Sequence, residues 1–181
     1  MIKRLLILSI AIFAVSGLAL SQGIKIVHIS DVTTDISGTE VEAVGDPSDS
    51  RIYYDMRVIN LTGNSIEIRY QRKRAASTGR SDEICDANLC YSATDAMWYQ
   101  TPATVTVNDE DTSLFKPQIA PDGLETCGVH VYYVVTSGGT VLDSVSVKFR
   151  TTNSNCFLDI DEESIENNDF SMYPNPAENI L

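Results

Sequence analysis

The stretch 129–149, VHVYYVVTSGGTVLDSVSVKF, decides the fold. Val129, Val131, Tyr133 and Val135 fall at every second position, Ser137, Gly138 and Gly139 follow, and Val141, Val145, Val147 and Phe149 then alternate with Ser144, Ser146 and Lys148. A period of two is that of a strand with one buried face, and a Gly-rich break between two such runs is a hairpin turn. His130 falls on the face opposite Val129 and Val131, where a solvated or cross-strand position is expected.

The same texture continues outward. Ile52, Tyr54, Met56 and Val58 alternate with Asp55 and Arg57, residues 61–65 (LTGNS) supply turn residues, and Ile66, Ile68 and Tyr70 resume against Glu67, Arg69 and Gln71. The pattern predicts a second hairpin. Further strands are expected over 24–30, 39–44 and 103–107, with a weaker one over 114–119, and no helical periodicity exceeds two turns. Seven to nine short strands punctuated by Gly, Asn, Asp and Pro imply an all-β fold, an antiparallel β-sandwich of immunoglobulin-like architecture over residues 22–152. The Cys, Trp, Cys spacing of true immunoglobulin domains is absent, so the expectation concerns architecture alone.

The chain opens with Lys3 and Arg4, followed by an apolar run over 5–20 and small residues at Ala19 and Ser21. This is the pattern of a secretory signal peptide, residues 1–21, with cleavage expected before Gln22. The run is short for the roughly 20 apolar residues that cross a bilayer, so no stable membrane span is expected after cleavage. Of 13 basic residues, loss of Lys3 and Arg4 leaves 11 against 25 acidic ones, a balance of −14. Such a charge repels nucleic acid and anionic membrane surfaces and favours solubility outside the cell.

Four cysteines in an exported chain predict two disulfides, for which three connectivities exist. Cys85 and Cys90, in CDANLC, are close enough for a local bridge, so the preferred pairing is Cys85 with Cys90 and Cys127 with Cys156. From residue 153 to 169 the acids and asparagines crowd into what reads as a solvated linker.

Beyond it stands YPNPAENIL, residues 173–181. Tyr173, Pro174, Asn175 and Pro176, followed by Ala177, Glu178, Asn179 and the apolar Ile180 and Leu181, resemble the opening of the C-terminal sorting domain of type IX secretion. The resemblance implies an interaction with the type IX secretion machinery and a destination in the medium or on the outer-membrane surface, reached through the periplasm. Such sorting domains usually continue for several strands, so the segment 170–181 is expected to be an incomplete one. The runs NLTGNSIEIRY (60–70) and CDANLCY (85–91) resemble a small domain that recurs in exported proteins carrying such sorting sequences. Its members mostly have no assigned activity, so the resemblance implies a sandwich and no particular chemistry.

Motifs for catalysis are not found. Cys85 and Cys90 lack the Cys-x-x-Cys spacing of redox sites, and a thiolate metal site would need further soft ligands where the only histidines are His28 and His130. Two histidines without a nucleophile motif give no triad. The acids at Asp109, Glu110 and Asp111 read as a polar loop, and Asp159, Asp161 and Glu163 lack the glycine of an EF-hand turn. No cofactor and no metal is expected.

Two groups remain. Arg69, Arg72, Lys73, Arg74 and Arg80 concentrate positive charge on an acidic protein, which reads as an edge strand guarded by charge or as a contact for an anionic polysaccharide or an acidic surface. Tyr91, Trp98 and Tyr99 are core if buried and a sugar-stacking surface if exposed. The expected function is a non-catalytic binding, adhesion or structural module for a glycan or a surface protein, contacted through Arg72, Arg74, Arg80, Tyr91, Trp98 and Tyr99. The alternative is the accessory domain or a fragment of a secreted hydrolase.

Overall fold

The structure, a computed structural model, describes residues 23–93 and 96–154. Residues 1–21, where a signal peptide is expected, Cys156, the acidic stretch after Ser154 and residues 170–181, where a sorting segment is expected, lie outside the described residues. Within them every regular element is a strand. The first sheet runs β2 (Asp31–Asp35), β1 (Ile24–His28), β5 (Met56–Asn60), β11 (Thr112–Ile119), β7 (Asp82–Asp86) and β8 (Cys90–Ser92), with β4 (Ile52–Tyr53) also on β11. The second runs β10 (Val105–Val107), β6 (Ile66–Ala76), β12 (Cys127–Thr136), β13 (Val141–Thr151) and β3 (Glu40–Gly45), with β9 (Trp98–Gln100) on β6. All pairings are antiparallel except β13 with β3, which is parallel. The fold is the expected β-sandwich.

The hairpin over 129–149 forms as its alternation dictates, β12 against β13, turning through Gly139 at φ +88°. The inward face of β12 is the opposite of the one its valines suggest. Gly128, His130, Tyr132 and Val134 are buried, whereas Val129, Val131 and Tyr133 are only half-buried on the outer face. His130 is therefore not solvated: it is fully buried. The choice of face is made by the partners, since Val145, Val147 and Phe149 of β13 and Ile68 and Tyr70 of β6 already point into the core. A strand paired between them must carry its matching residues inward.

The second expected hairpin is not one. β5 and β6 lie in different sheets, β5 between β1 and β11 and β6 against β12, so residues 61–65 bridge the sandwich rather than turn within one sheet. Asn60 makes the bridge. Its Nδ2 donates to the carbonyls of Asn64 (2.7 Å) and Val107 (2.9 Å), and its Oδ1 accepts from the Thr62 amide (3.0 Å) and hydroxyl (2.8 Å). A fully buried amide with its capacity filled ties the end of the first sheet to β10 of the second. Turn residues identify a change of direction but not whether the next strand pairs with the last.

Residues 52–58 are also broken, into β4 and β5, opposite Pro117. The Tyr54 amide donates to the Pro117 carbonyl at 3.1 Å, and in an antiparallel strand a residue's N and C=O face the same neighbour. The missing proline N–H thus falls at the gap between β4 and β5, where no donor is required.

The two sheets close over one apolar core. Tyr70 of the second sheet stacks on Phe115 of the first at 4.3 Å between centroids and 6° between planes, and Tyr132 meets Phe115 edge-on at 5.9 Å. The Tyr70 hydroxyl donates to the Leu114 carbonyl at 3.1 Å, so the ring is buried without leaving its polar end unsatisfied. The Cys85–Cys90 disulfide joins the ends of β7 and β8, and Asp86 Oδ1 accepts from the amides of Asn88 (2.7 Å) and Leu89 (3.2 Å) within the loop it closes. Cys127 is also disulfide-bonded.

Candidate functional site

The long strand β6 is the origin of both polar features of the molecule. It is paired on both sides, with β12 on one and with β10 and β9 on the other, so it is not the charge-guarded edge expected from its arginines. Alternation then separates its cations into two sets. Ile68, Tyr70, Arg72 and Arg74 point inward, and Arg69, Gln71 and Lys73 point outward.

The inward set builds a buried ion cluster. The Arg72 side chain is 0% exposed and Asp82 of β7 is 1% exposed, with Arg72 Nε 2.9 Å from Asp82 Oδ2. Arg74 Nη2 lies 3.0 Å from Asp82 Oδ1, and His130 Nδ1 lies 3.3 Å from Asp82 Oδ2 and from the Tyr132 hydroxyl. Arg72 Nη1 also donates to the Ala96 carbonyl at 3.1 Å. Burial is the largest influence on Asp82, Arg72 and His130. It pushes the Asp82 carboxyl up, against the pull of Arg72 and Arg74, and pulls the Arg72 guanidinium down, against Asp82. Two guanidinium groups this close keep Asp82 ionised at neutral pH. His130 is pulled down to about 3 by burial and then by Arg72 and Arg74, so its imidazole is neutral. A carboxylate so enclosed has no route to a substrate. The cluster clamps β6 and β12 of one sheet to β7 of the other.

The outward set meets β9. The register pairs Lys73 with Trp98 and Gln71 with Gln100 on one side, and Lys73 with Val131 and Gln71 with Tyr133 on the other. Trp98 is 52% exposed. Its ring lies 5.8 Å from that of Tyr133 at 26° between planes, and Lys73 Nζ lies 5.5 Å from its centroid, within cation–π reach. The Gln71 amide Nε2 donates to Gln100 Oε1 at 2.6 Å. Gln71, Trp98, Tyr99 and Gln100 line an open depression of about 200 Å³. That is below the roughly 300–1,000 Å³ of sites enclosing drug-sized ligands. The surface is a shallow aromatic and amide platform on a rigid sheet, able to stack a flat or ring-shaped group and to hydrogen-bond its edge.

The six residues expected at a ligand surface are thus dispersed. Trp98 stands on the platform, and Tyr99 lines the depression while packing on the core. Arg72 and Arg74 turn inward to Asp82. Arg80 donates from Nε to Thr126 Oγ1 at 3.0 Å, and Tyr91 is buried in the first sheet. Sequence reading missed Asp82 and His130 as core partners, and Gln71, Lys73, Gln100 and Tyr133 as neighbours of Trp98. The signal was available in β6: Arg72 and Arg74 share the parity of Ile68 and Tyr70. The acids of the 109–111 loop serve it locally, Asp109 Oδ1 accepting from the Gly63 amide at 2.8 Å and Asp111 Oδ1 from the Thr112 amide at 2.7 Å.

No family profile and no curated protein matches the sequence. Among solved structures the chain is similar to the N-terminal domain of PorA, with a TM-score of 0.54, 16% identity, and coverage of 71% of this chain and 97% of that one. It is more remotely similar to the seventh PapD-like domain of human CEP192 (TM-score 0.41, 7% identity, 77% and 94% covered). A third likeness is to the adhesin CfaE of enterotoxigenic E. coli (TM-score 0.42, 10% identity, 74% and 49% covered). At these identities what is shared is the fold, and the β-sandwich of the PorA N-terminal domain is the architecture to which this chain is similar.

Proposed function

We propose that the protein is an exported, non-catalytic binding module that meets a glycan or protein partner through the Trp98 face of its second sheet, at the cell surface or in the medium. The observation that carries this reading is Trp98 itself, over half exposed on a paired strand and flanked by Tyr133, Lys73 and the Gln71–Gln100 amide pair. An aromatic ring held open on a rigid sheet loses little entropy on contact and offers a large apolar area. Export is supported by the leader, by the Cys85–Cys90 disulfide, which belongs to an oxidising compartment, and by the resemblance of residues 173–181 to a type IX sorting segment. The type IX machinery would then be the protein's transport partner.

Two measurements test the reading. A glycan array probed with the mature chain and with Trp98→Ala should show ligands lost in the variant, and a variant that retains every ligand refutes the platform. Fractionation of a type IX host expressing the full gene, with and without functional translocation machinery, tests the route. Equal amounts outside the cell in both strains would refute it.

A further inference from the structure

Resting on that reading, we propose that the partner of the Trp98 face is an acidic glycan, with one sugar ring on Trp98 and its carboxylate or sulfate groups met by Lys73 and Arg69. The argument begins with charge compensation. On the same outer face Lys148 and Arg150 are closed by Glu42, at 3.8 Å and 2.7 Å. Elsewhere Lys116 is closed by Asp55 at 3.2 Å and Arg51 by Glu83 at 3.3 Å. Among the described residues no carboxylate lies within 4.0 Å of Lys73 or Arg69; the same holds for Lys25 and Arg57 on the first sheet and for Arg80, but on the outer face of the second sheet Lys73 and Arg69 are the two cations without a carboxylate partner. The two cations flank Gln71 on one strand, their Cα atoms about 13 Å apart from the strand rise of roughly 3.3 Å per residue. Two cations at successive outward positions beside the indole suit a chain that carries negative groups along its length.

The neutral contacts agree. The Gln71–Gln100 bond leaves Gln71 Oε1 and Gln100 Nε2 as an acceptor and a donor beside the indole, suited to vicinal hydroxyls. The depression of about 200 Å³ is open and shallow, a place to lay one ring of a chain rather than enclose a free molecule. A protein partner fits less well, because the row beyond Tyr133 and Val131 is Ser144 and Ser146, which breaks the contiguous apolar core that protein interfaces bury.

The test uses the mature full chain, its Trp98→Ala variant and an Arg69→Gln/Lys73→Gln double variant, each confirmed folded by circular dichroism. Binding is measured by calorimetry to polygalacturonate, to the same polymer with its carboxylates methyl-esterified, and to dextran sulfate. The proposal expects binding to at least one acidic polymer, weakened at least tenfold by 300 mM salt and at least tenfold in the double variant, and lost in Trp98→Ala. Binding to the esterified polymer that needs Trp98 but is indifferent to the double substitution overturns the acidic assignment and leaves the binding face standing. Trp98-independent binding, or no binding to any polymer, overturns the proposal. Trp98-dependent crosslinking of a surface protein in the absence of polymer binding assigns the face to a protein and overturns it equally.

Discussion

Replacing Asp82 by Asn should be among the most damaging substitutions available to this protein, although it changes no shape. The carboxylate lies 2.9 Å from Arg72 Nε and 3.0 Å from Arg74 Nη2, with the Arg72 and Asp82 side chains almost wholly out of solvent. At an effective dielectric constant near 20, each attraction amounts to roughly 5 kcal/mol, offset by the desolvation of three charges and by repulsion between the arginines. An uncharged amide at this position would remove both attractions and leave the desolvation of the arginines in place. The expected net loss is about 3–5 kcal/mol, a large part of the roughly 5–15 kcal/mol that holds a domain folded. For a domain of this size that lowers Tm by roughly 10–20 °C. Urea unfolding followed by far-ultraviolet circular dichroism, without reductant, measures it directly, and Arg51→Gln provides a surface control expected within about 1 kcal/mol. Because Arg72 is itself paired through Asp82, Arg72→Met combined with Asp82→Asn should cost less than the sum of the two single changes. A loss under about 1 kcal/mol for Asp82→Asn, or strict additivity in the cycle, would refute the clamp.

Three further outcomes follow from other positions. His130, held neutral with its pKa pulled down to about 3 by burial and then by Arg72 and Arg74, is protonated more readily in the unfolded chain. Its contribution is therefore complete above pH 6.5 and declines as pH falls toward 3, by about 5 kcal/mol at most, since Asp82 beside Nδ1 opposes the shift. His130→Phe should flatten the acid limb of stability against pH, and an unchanged slope would show that His130 is not the titrating group. Opening the Cys85–Cys90 bridge with Ser at both positions should cost about 2 kcal/mol in urea titration, the chain-entropy value for so short a loop; no loss would mean that Asp86 alone holds the turn. Gly128→Ala would place a Cβ 2.7 Å from the Ala76 carbonyl and 2.8 Å from the Thr78 amide, both backbone, so about 1–3 kcal/mol should be lost and a neutral result would contradict the packing of β12 on β6.

Much of the fold was legible because period-two alternation is a local signal. The 129–149 hairpin, the strands at 24–28, 40–45, 105–107 and 112–119, and the Cys85–Cys90 bridge are each written within a short span of neighbouring residues. The strands that escaped, β2, β7, β8 and β9, are only three to five residues long, and β7 carries its buried positions as Asp82, Ile84 and Asp86 rather than as an apolar row. A buried carboxylate is recognisable only when its cations are known to be opposite it.

The sequence by itself determined the class of structure, the charge, the local disulfide and the parity of the strands that alternate clearly, because these depend on neighbours along the chain. Tertiary structure decided which sheet each strand joined and which parity faced inward. It sent residues 61–65 across the sandwich instead of around a hairpin, since Asn60 could satisfy its amide on both sheets at once. It also divided the arginines and the aromatics of one basic, aromatic region. Arg72 and Arg74 went inward because Asp82 and the neutral His130 received them, and Trp98 stayed outside because the register of β9 sets it opposite Lys73, on the outer face of the second sheet.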